Sequence, residues 1–326
     1  MICLGIESTA HTAGVGIMNS EGDVLANEKD TFTTEKGGMI PRELAEHHCE
    51  KFPSILKNAF EKAKMDWKDI DCIAYSAGPG MGPALSTGAV MARYLSLLHN
   101  KPLVATNHCV AHIEIGKKIC NCNDPLILYV SGGNSQIIGF ESGKYRVYGE
   151  TLDIGVGNLL DSFGRACGLG FPAGPIIDKM YFEAKNYIEL PYSVKGMDLH
   201  FSGLLTSAKQ KIGKVDEKDL AYSLMHTCFA MLTEVTERAL AHTEKKEVLL
   251  VGGVAASKAL QKMVGEMCEE RGVKMRVCPT LLAVDNAAMI AFLGTLMFKH
   301  NRTVKIKDAF TNQKFRTDLE EINWTN

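Results

Sequence analysis

The sequence predicts an α/β protein built from two copies of one domain. The chain opens with an apolar segment, a small polar turn, a second apolar segment, a glycine turn and a third segment, which predicts a strand and two hairpin turns over residues 1–32. The same order returns at Leu126–Val130, about 124 residues later. Such a distance indicates a duplicated domain, because solenoid repeats span about 20–50 residues. We expect two lobes with a cleft between them, 1–125 and 126–326, and a helical insertion at about 151–245 in the second.

Apolar periodicity predicts the remaining elements of the first lobe. Helical spacing marks Pro41–Lys64 and Ala84–Leu98, and short apolar runs predict strands at Asp71–Ser76 and Pro102–Thr106. Pro53 should kink the first helix or divide it in two, because proline lacks the backbone N–H that a helix interior requires.

The second lobe continues after its two hairpins with helices and two further strands. Its predicted elements are a helix at Asp219–Thr243, a strand at Glu247–Val251, a helix to about Glu270, a strand at Lys274–Cys278 and a helix at Asp285–His300.

Composition describes an ordinary globular chain and excludes several classes of protein. The 326 residues are 46% hydrophobic and 23% charged, and the net charge is −2, which does not fit a protein that grips nucleic acid over its whole surface. The ten cysteines form no Cys-x-x-Cys pair, so reduced thiols in a cytoplasmic protein are expected. The first residues do not read as a signal peptide, and the longest apolar run, Ala287–Phe298, is too short to span a bilayer.

The segment Asn107–Gly116 carries the most informative motif. His108 and His112 are four residues apart, so a helix would place both imidazoles on one face. Such a pair suits Zn(II) or Fe(II), but one histidine in the core and one capping or solvated is an equally open alternative. Cys109 stands where a zinc protease has its general-base glutamate, which excludes that class. Asp285 is a candidate third ligand or simply the N-cap of its helix.

Three small-residue turns follow apolar strands, at Glu7–Thr12, Ser131–Asn134 and Gly252–Ala256. Glycine lets a ligand approach the backbone closely, and successive free N–H groups form anion sites. We expect the first two turns to hold a polyphosphate and the third the nucleoside end, although each could be an ordinary tight turn. None is a Walker A loop, since no Gly-Lys-Ser/Thr occurs.

Short motifs from Met1 to Trp324 resemble, in the same order, those of the TsaD family, in particular its archaeal and eukaryotic branch, the catalytic subunit of the KEOPS complex. The motifs that carry the resemblance are Gly5–Thr12, Glu35–Gly38, Ala45–His48, Gly78–Ala84, Asn107–His112, Tyr129–Asn134, Gly149–Gly155, Lys195–Asp198, Phe201–Leu204, Val251–Ala256 and Lys314–Asp318.

The resemblance implies the two-lobed fold of actin, the sugar kinases and the large heat-shock ATPases, in agreement with the duplication. It implies a metal-dependent acyltransferase that moves threonylcarbamoyl from threonylcarbamoyl-AMP to the adenosine beside the anticodon of certain tRNAs. The implied partners are the tRNA substrate and further KEOPS subunits, including a small kinase-like protein, fused in some relatives, and a small dimerising subunit. A cytoplasmic location with no membrane association is expected from the cysteine usage and from the short apolar runs described above.

The resemblance also assigns site residues by position. It places one divalent ion, Fe(II) or alternatively Zn(II), on His108, His112, Tyr129 and Asp285. It places contacts to ATP or threonylcarbamoyl-AMP on Tyr129, Val130, Ser131, Gly132, Gly133, Asp161, Gly174, Asp178 and Ser257. The glycine turn described above adds Gly252 and Gly253. Possible proton carriers are His11, His47 and His48. The chain departs from the family pattern at Ser257, where Asn is usual, and at Ser86, where Arg is usual.

A function of another class is also compatible with the glycine turns. The chain could be an ATP-binding switch or chaperone-like module without transfer chemistry. Such a protein would bind ATP but never modify tRNA, even with its partners present.

Overall fold

The computed structural model describes residues 1–33 and 40–324, so the Glu35–Gly38 motif lies outside the described residues. The described residues of the first part of the chain form five strands and three α-helices, in the order β1 (Ile2–Glu7), β2 (Thr12–Asn19), β3 (Val24–Thr31), α1 (Pro41–Ala63), β4 (Cys72–Gly78), α2 (Gly82–His99), β5 (Leu103–Asn107) and α3 (His108–Cys120). A short 3₁₀ helix lies at Trp67–Asp69.

The second part repeats the strands and adds helices between them. Its elements are β6 (Leu126–Val130), β7 (Ser135–Glu141), β8 (Lys144–Glu150), α4 (Val156–Ala166), α5 (Gly174–Tyr181), β9 (Val194–Lys195), β10 (Asp198–Leu199), α6 (Ser202–Lys211), α7 (Glu217–Thr243), β11 (Glu247–Val251), α8 (Lys258–Glu270), β12 (Lys274–Val277), α9 (Thr280–Ala283) and α10 (Ala287–Lys299). Further 3₁₀ helices lie at Gly253–Ala256, Ile306–Asp308 and Thr317–Leu319.

The two five-stranded sheets share one topology, which confirms the predicted duplication. The first has the order β3-β2-β1-β4-β5 and the second the order β8-β7-β6-β11-β12. In each sheet the first strand of the copy pairs antiparallel with the second and parallel with the fourth. Helices α4–α7 lie between β8 and β11, whereas the described residues between β3 and β4 of the first copy contain one α-helix, α1. The helical insertion at about 151–245 stays a prediction.

The residues group into two compact units that differ from the predicted lobes. The first unit contains Met1–Ile119, Ser142–Tyr145 and Val284–Asn326, and the second contains Cys120–Glu141 and Arg146–Ala283. Val284–Asn326 belongs with the first unit because α10 packs against β1, β2 and β4. The predicted boundaries, 1–125 and 126–326, mark where each copy of the repeated pattern begins and ends in the sequence, and they stay a prediction. The compact units are defined instead by which segments pack together.

The first sheet is covered by helices on both faces. Successive strand residues point to opposite faces, so Leu4 and Ile6 join the core beside α1 and α2 while Gly5 faces α10. Gly5 pairs with Gly16 across the strands, and a Cβ at either position would lie within 2.5 Å of the α10 backbone at Ala287 or Ala291. These two glycines let α10 lie close against the sheet. The position of α10 in turn sets the position of Asp285, which lies just before the helix.

The structure decides two open points about helices. Pro53 is predicted to kink or divide α1, and division does not occur: α1 continues through the proline, because Leu44, Phe52 and Ile55 bury one face of the helix on both sides of it. Asp285 is not the N-cap of the last helix: Asn286 is, since its side chain accepts a hydrogen bond from the N–H of Met289. The carboxylate of Asp285 is thereby available for other contacts.

Among the helices of the described residues, none combines the length and the apolar character that a membrane span requires.

Candidate metal and nucleotide sites

The His108–His112 pair lies at the carboxyl edge of the first sheet. Strands β1, β4 and β5 are neighbours and parallel, so the end of β1 at Glu7 and the start of α3 at His108 meet at the same edge. Helix α3 begins directly after β5, because the side chain of Asn107 accepts hydrogen bonds from the N–H groups of Cys109 at 2.9 Å and Val110 at 3.2 Å. This cap places both histidines in the first turns of the helix, where they are buried.

His108, His112 and Asp285 form a compact set of metal-ligating groups. Their candidate ligand atoms all lie within 4.8 Å of one another. The Nε2 atoms of both histidines lie 3.4 Å from Oδ1 of Asp285. Two ligand atoms bound to one tetrahedral ion at about 2.0–2.1 Å lie about 3.3 Å apart, so these separations fit a shared divalent cation.

Glu7 fixes the orientation of His108 and was not predicted as a site residue. Its Oε2 accepts a hydrogen bond from Nδ1 of His108 at 2.9 Å, which leaves Nε2 directed at Asp285. Its Oε1 accepts from the N–H of Thr9 at 2.7 Å and from the Thr9 hydroxyl. A carboxylate behind a metal-binding histidine sets the tautomer and raises the basicity of the ligand. The sequence signal was a buried-strand glutamate that opens a small polar turn.

Asp285 is also held from its backbone side. Lys29, on β3, donates a hydrogen bond from Nζ to the carbonyl of Asp285 at 3.1 Å. Burial lowers the pKa of this lysine. The contact fixes the chain just before α10 and leaves the carboxylate pointing at the two imidazoles.

The charges of the cluster suit a cation. Burial lowers the pKa of His108, but the carboxylates of Glu7 and Asp285 outweigh it and raise that pKa well above the usual histidine value. Burial lowers the pKa of His112. The two histidines hold the pKa of Asp285 well below its usual range despite its burial. A metal ion at this site would therefore displace a proton from His108, so metal binding should strengthen as the pH rises.

We expect replacement of Glu7 by Gln to weaken metal binding without unfolding the chain. The amide keeps the shape of the side chain but loses the carboxylate charge that holds the His108 tautomer. The Kd for Zn(II), measured by competition with a chelator, should rise about 10–100-fold. Glu43→Gln, an exposed change on α1, is the control and should leave the Kd unchanged. An unaltered Kd in the Glu7 variant would show that Glu7 does not orient the ligand.

The fourth predicted ligand and the predicted proton carriers stay predictions. Tyr129 is buried on β6, in the other compact unit. His47 and His48 are neighbours on α1, with Nδ1 atoms 3.3 Å apart, and His47 Nε2 lies 2.7 Å from Asp30. Burial lowers the pKa of His48 to about 4, so its imidazole is neutral at pH 7. His11 lies in the turn after β1.

The Ser131–Asn134 turn presents free backbone donors in the second unit. Gly132 and Gly133 are exposed, and their N–H groups make no hydrogen bond within the described part of the chain. A Cβ at Gly133 would meet nothing within 4 Å, so packing does not require glycine there. By contrast, a Cβ at Gly155 would lie 2.3 Å from the carbonyl of Gly132. Free amides without side chains suit the close approach of a phosphate.

The other predicted nucleotide residues of the second unit already have contacts in the structure. Gly252 follows β11 with φ +91, and a Cβ there would lie 2.2 Å from the carbonyl of Val130. Asp161 accepts a hydrogen bond from the N–H of Ala173, just before α5 begins at Gly174. Gly253 begins a 3₁₀ helix rather than α8. Their roles toward a ligand stay predictions.

Ser257 and Asp178 form one helix cap, which gives a structural reason for this serine. The Ser257 hydroxyl donates to the Asp178 carboxylate and accepts from the N–H of Leu260 at 3.3 Å. Asp178 also accepts from the N–H groups of Lys258 at 3.1 Å and Ala259 at 3.2 Å. Both side chains thus hold the start of α8. Their contact with a nucleotide stays a prediction.

Comparison with known sequences identifies the family. The family model described as TsaD, tRNA N6-adenosine threonylcarbamoyltransferase, matches residues 23–292. The chain belongs to the TsaD family. It is 55% identical to the tRNA N6-adenosine threonylcarbamoyltransferase of Thermococcus sibiricus, over 99% of this chain and all of that protein. It is 51% identical to the probable bifunctional tRNA threonylcarbamoyladenosine biosynthesis protein of Methanocaldococcus jannaschii, matching 99% of this chain but 60% of that longer protein.

Solved structures confirm the actin-like fold class. Thermococcus kodakarensis HypF superposes with a TM-score of 0.63 at 16% identity, covering 92% of this chain and 48% of HypF. The activator of 2-hydroxyisocaproyl-CoA dehydratase from Clostridium difficile, solved with bound ADPNP, gives 0.55 at 12% identity, covering 92% of this chain and 97% of the activator. A ROK family glucokinase from Streptomyces griseus gives 0.51 at 11% identity, covering 90% and 99%. At these identities the likeness concerns the fold alone. The TsaD family and this fold are consistent with metal and nucleotide use.

Proposed function

We propose that this chain is a tRNA N6-adenosine threonylcarbamoyltransferase, which transfers threonylcarbamoyl from threonylcarbamoyl-AMP to the adenosine beside the anticodon. The observation that carries the proposal is the cluster of the buried His108 and His112 with the partly buried Asp285, in a chain 55% identical to a protein of that name. Because the amine of adenosine is a weak nucleophile, the acyl donor must be activated. A metal ion bound by this cluster could provide that activation.

The reaction forms one bond and breaks one. The N6 amine of adenosine attacks the carbamoyl carbon, the bond from that carbon to the phosphate oxygen breaks, and AMP leaves with the electron pair. A divalent ion on His108, His112 and Asp285 would polarise the carbamoyl carbonyl or neutralise charge on the leaving phosphate. Fe(II) is proposed first and Zn(II) second, since imidazole and carboxylate suit both. Tyr129 is proposed as a further ligand.

The nitrogen that attacks must lose a proton, and three histidines are proposed as carriers. His48 is neutral at pH 7, because burial lowers its pKa to about 4. Its neighbour His47 bridges it to the half-exposed Asp30, so a hydrogen-bonded chain leads from the buried imidazole toward the surface. His11, in the same turn as Glu7, is the third candidate.

The nucleotide end of the donor is proposed to bind to the second copy. The free N–H groups of Gly132 and Gly133 support phosphate binding, with Tyr129, Val130 and Ser131 beside them. The nucleoside end is assigned to Gly252 and Gly253 of the third glycine turn and to the positions that the family pattern supplies: Asp161, Gly174, Asp178 and Ser257.

Protein partners are also proposed, namely a small kinase-like subunit and a small dimerising subunit of a KEOPS-type complex. Three of the bifunctional relatives are longer than this chain, which matches about 60% of each. Helix α2 also exposes an apolar face with i, i+4, i+7, i+8 spacing, at Val90, Tyr94, Leu97 and Leu98, each between 58% and 67% exposed. A cytoplasmic location is proposed, since the spacing of the ten cysteines resembles no disulfide framework and tRNA is the proposed substrate.

We expect the isolated chain to bind tRNA weakly and to modify it only with its partners. The net charge of the chain is −2. One of its basic side chains, Arg302, already forms an ion pair with Glu320. A patch that neutralises only a few phosphates should give a Kd on the order of 10⁻⁶–10⁻⁴ M near physiological salt, which rises steeply with salt. Filter binding at several salt concentrations, with and without partner subunits, measures the Kd for tRNA and its dependence on salt.

The same preparations test the transfer itself. Synthetic threonylcarbamoyl-AMP carrying labelled threonine is mixed with tRNA, and incorporation is measured with and without partners. Label should enter tRNA that carries the target adenosine and not tRNA with another base there. ATP binding without any incorporation would favour the switch or chaperone-like module instead. Tight binding by the isolated chain, with no gain from partners, would refute the dependence on partners.

A further inference from the structure

We propose that the C-terminal segment Phe310–Asp318, here called the C-terminal brace, positions the metal ligand His108 through two separate contacts. The inference rests on the proposed metal centre and goes beyond it, because the brace contains none of the metal ligands. The first contact runs through Asn107, directly before His108. The second runs through the Gly78–Ala84 loop to Glu7. Both contacts lie within the first compact unit.

Asn107 joins the brace to the start of the metal helix. Its side chain is fully buried, and its two ends face different partners. The oxygen accepts hydrogen bonds from the N–H groups of Cys109 and Val110, which caps α3. The amide nitrogen donates to the carbonyls of Phe315 at 3.3 Å and Arg316 at 3.2 Å. One side chain thus ties the helix that carries His108 and His112 to a segment more than 200 residues later.

The brace also holds the loop that supports Glu7. The N–H of Asn312 donates to the carbonyl of Ala77 at 2.7 Å, and the N–H of Gly80 donates to the carbonyl of Gln313 at 3.3 Å. The next residue along the loop, Met81, donates its N–H to the carbonyl of Thr9 at 2.8 Å.

Thr9 completes this second route, because it is the residue that holds the Glu7 carboxylate. Its N–H and hydroxyl both bond Oε1 of Glu7, whose other oxygen accepts from His108. A Cβ at Gly80 would lie 2.5 Å from the carbonyl of Thr9, so the loop and the turn are in close contact. The brace therefore reaches the same imidazole from its backbone side and from its Nδ1 side.

Hydrogen bonds within the brace and to β4 hold the brace itself in place. Oδ1 of Asn312 accepts from the N–H of Lys314 at 3.0 Å, the N–H of Phe315 donates to the carbonyl of Asn312 at 3.2 Å, and Tyr75 donates its hydroxyl hydrogen to the carbonyl of Phe310 at 3.0 Å. Metal sites tolerate displacements of only about 0.5 Å in a ligand, so groups that hold the ligands affect metal affinity.

The test separates positioning from stability by changing Asn107 in two ways. Asn107→Ser keeps a good helix cap but is too short to reach the brace. Asn107→Asp keeps the cap and loses the amide donor, while its added negative charge alone would tighten cation binding. Asn312→Ala loosens the brace from its own side, without touching α3. The control is Asp216→Ala, which removes the side-chain cap of α7 in the other unit.

The measurements are the visible absorption spectrum of the Co(II)-loaded chain, the Zn(II) Kd from chelator competition, and thermal unfolding of the metal-free chain. We expect altered Co(II) spectra and a Zn(II) Kd raised about tenfold in both Asn107 variants, with a smaller rise in Asn312→Ala. The control should unfold at lower temperature with an unchanged spectrum and Kd.

Two outcomes overturn the proposal. Asn107 variants that lose thermal stability, but keep the wild-type spectrum and Kd, would show a purely structural contact. Failure of the wild-type chain to bind either metal would remove the metal centre and this inference with it. Because metal binding is measured without tRNA or donor, a missing transfer activity leaves this test unaffected.

Discussion

The variant in which His108 and His112 are both replaced by Ala should lose its metal and its transferase activity together. The two imidazoles supply two of the three clustered ligand groups, and Asp285 alone offers a single carboxylate. Metal content, measured by mass spectrometry after anaerobic purification, should fall from about one ion per chain to a small fraction. Incorporation of labelled threonylcarbamoyl into tRNA should fall on the order of a hundredfold or more, since removal of an electrostatic stabiliser of the transition state has effects of that size.

The matched control replaces two histidines of the same unit that lie away from the cluster, His99 and His300. His99 stacks on Trp67, and His300 lies at the end of α10. This double variant should keep both its metal and its activity. Full metal retention in the His108/His112 variant would exclude the site, whereas loss of metal with retained activity would exclude a catalytic role for the ion.

Replacement of Gly132 by Val should abolish nucleotide binding while the fold is preserved. A Cβ at Gly132 meets only Oδ1 of Asn158 within 4 Å, at 3.6 Å, which is ordinary van der Waals contact. The branched side chain would instead occupy the space in front of the free N–H groups, where a phosphate must approach. Calorimetry with ATP should show an affinity loss of at least tenfold, and circular dichroism should show unchanged secondary structure.

Gly265→Val is the control for this experiment. It adds the same side chain on α8, where a Cβ would contact only the flexible side chain of Met275, at 3.4 Å or more. Its nucleotide affinity should equal that of the unmodified chain. Gly252→Val is not a suitable test variant, because a Cβ at that position would lie 2.2 Å from the carbonyl of Val130 and would disturb the fold itself. Unchanged affinity in Gly132→Val would move the phosphate site elsewhere.

Local sequence patterns determined most of the elements of this protein. Short apolar runs gave the strands Leu126–Val130 and Glu247–Val251 with the bounds that the structure has. The repeated order of strand, turn and hairpin predicted the duplication, because hairpins are local structures whose turns are visible in the sequence. The four-residue spacing of His108 and His112 likewise predicted that they share a helix face, since only one short helix is needed to bring them together.

Tertiary structure alone decided the features that depend on contacts between distant segments. Pro53 stays inside one helix because packing of the α1 face outweighs the lost backbone hydrogen bond. The close approach of α10 to Gly5 and Gly16 places Val284–Asn326 with the first sheet. No local pattern contains these contacts, because each joins segments separated by more than 200 residues or depends on which face becomes buried.

The residues that hold the candidate metal ligands in position were also decided by the tertiary structure alone. Glu7 and Asn107 are ordinary polar residues in the sequence, one at the end of a strand and one before a helix. Their roles appear only when parallel strands bring their carboxyl ends to one edge and the C-terminal segment folds back over that edge. The sequence by itself thus determined the candidate ligands, whereas the fold decided which buried hydrogen bonds hold them in position, because a buried polar group must bond whatever neighbour the tertiary packing supplies.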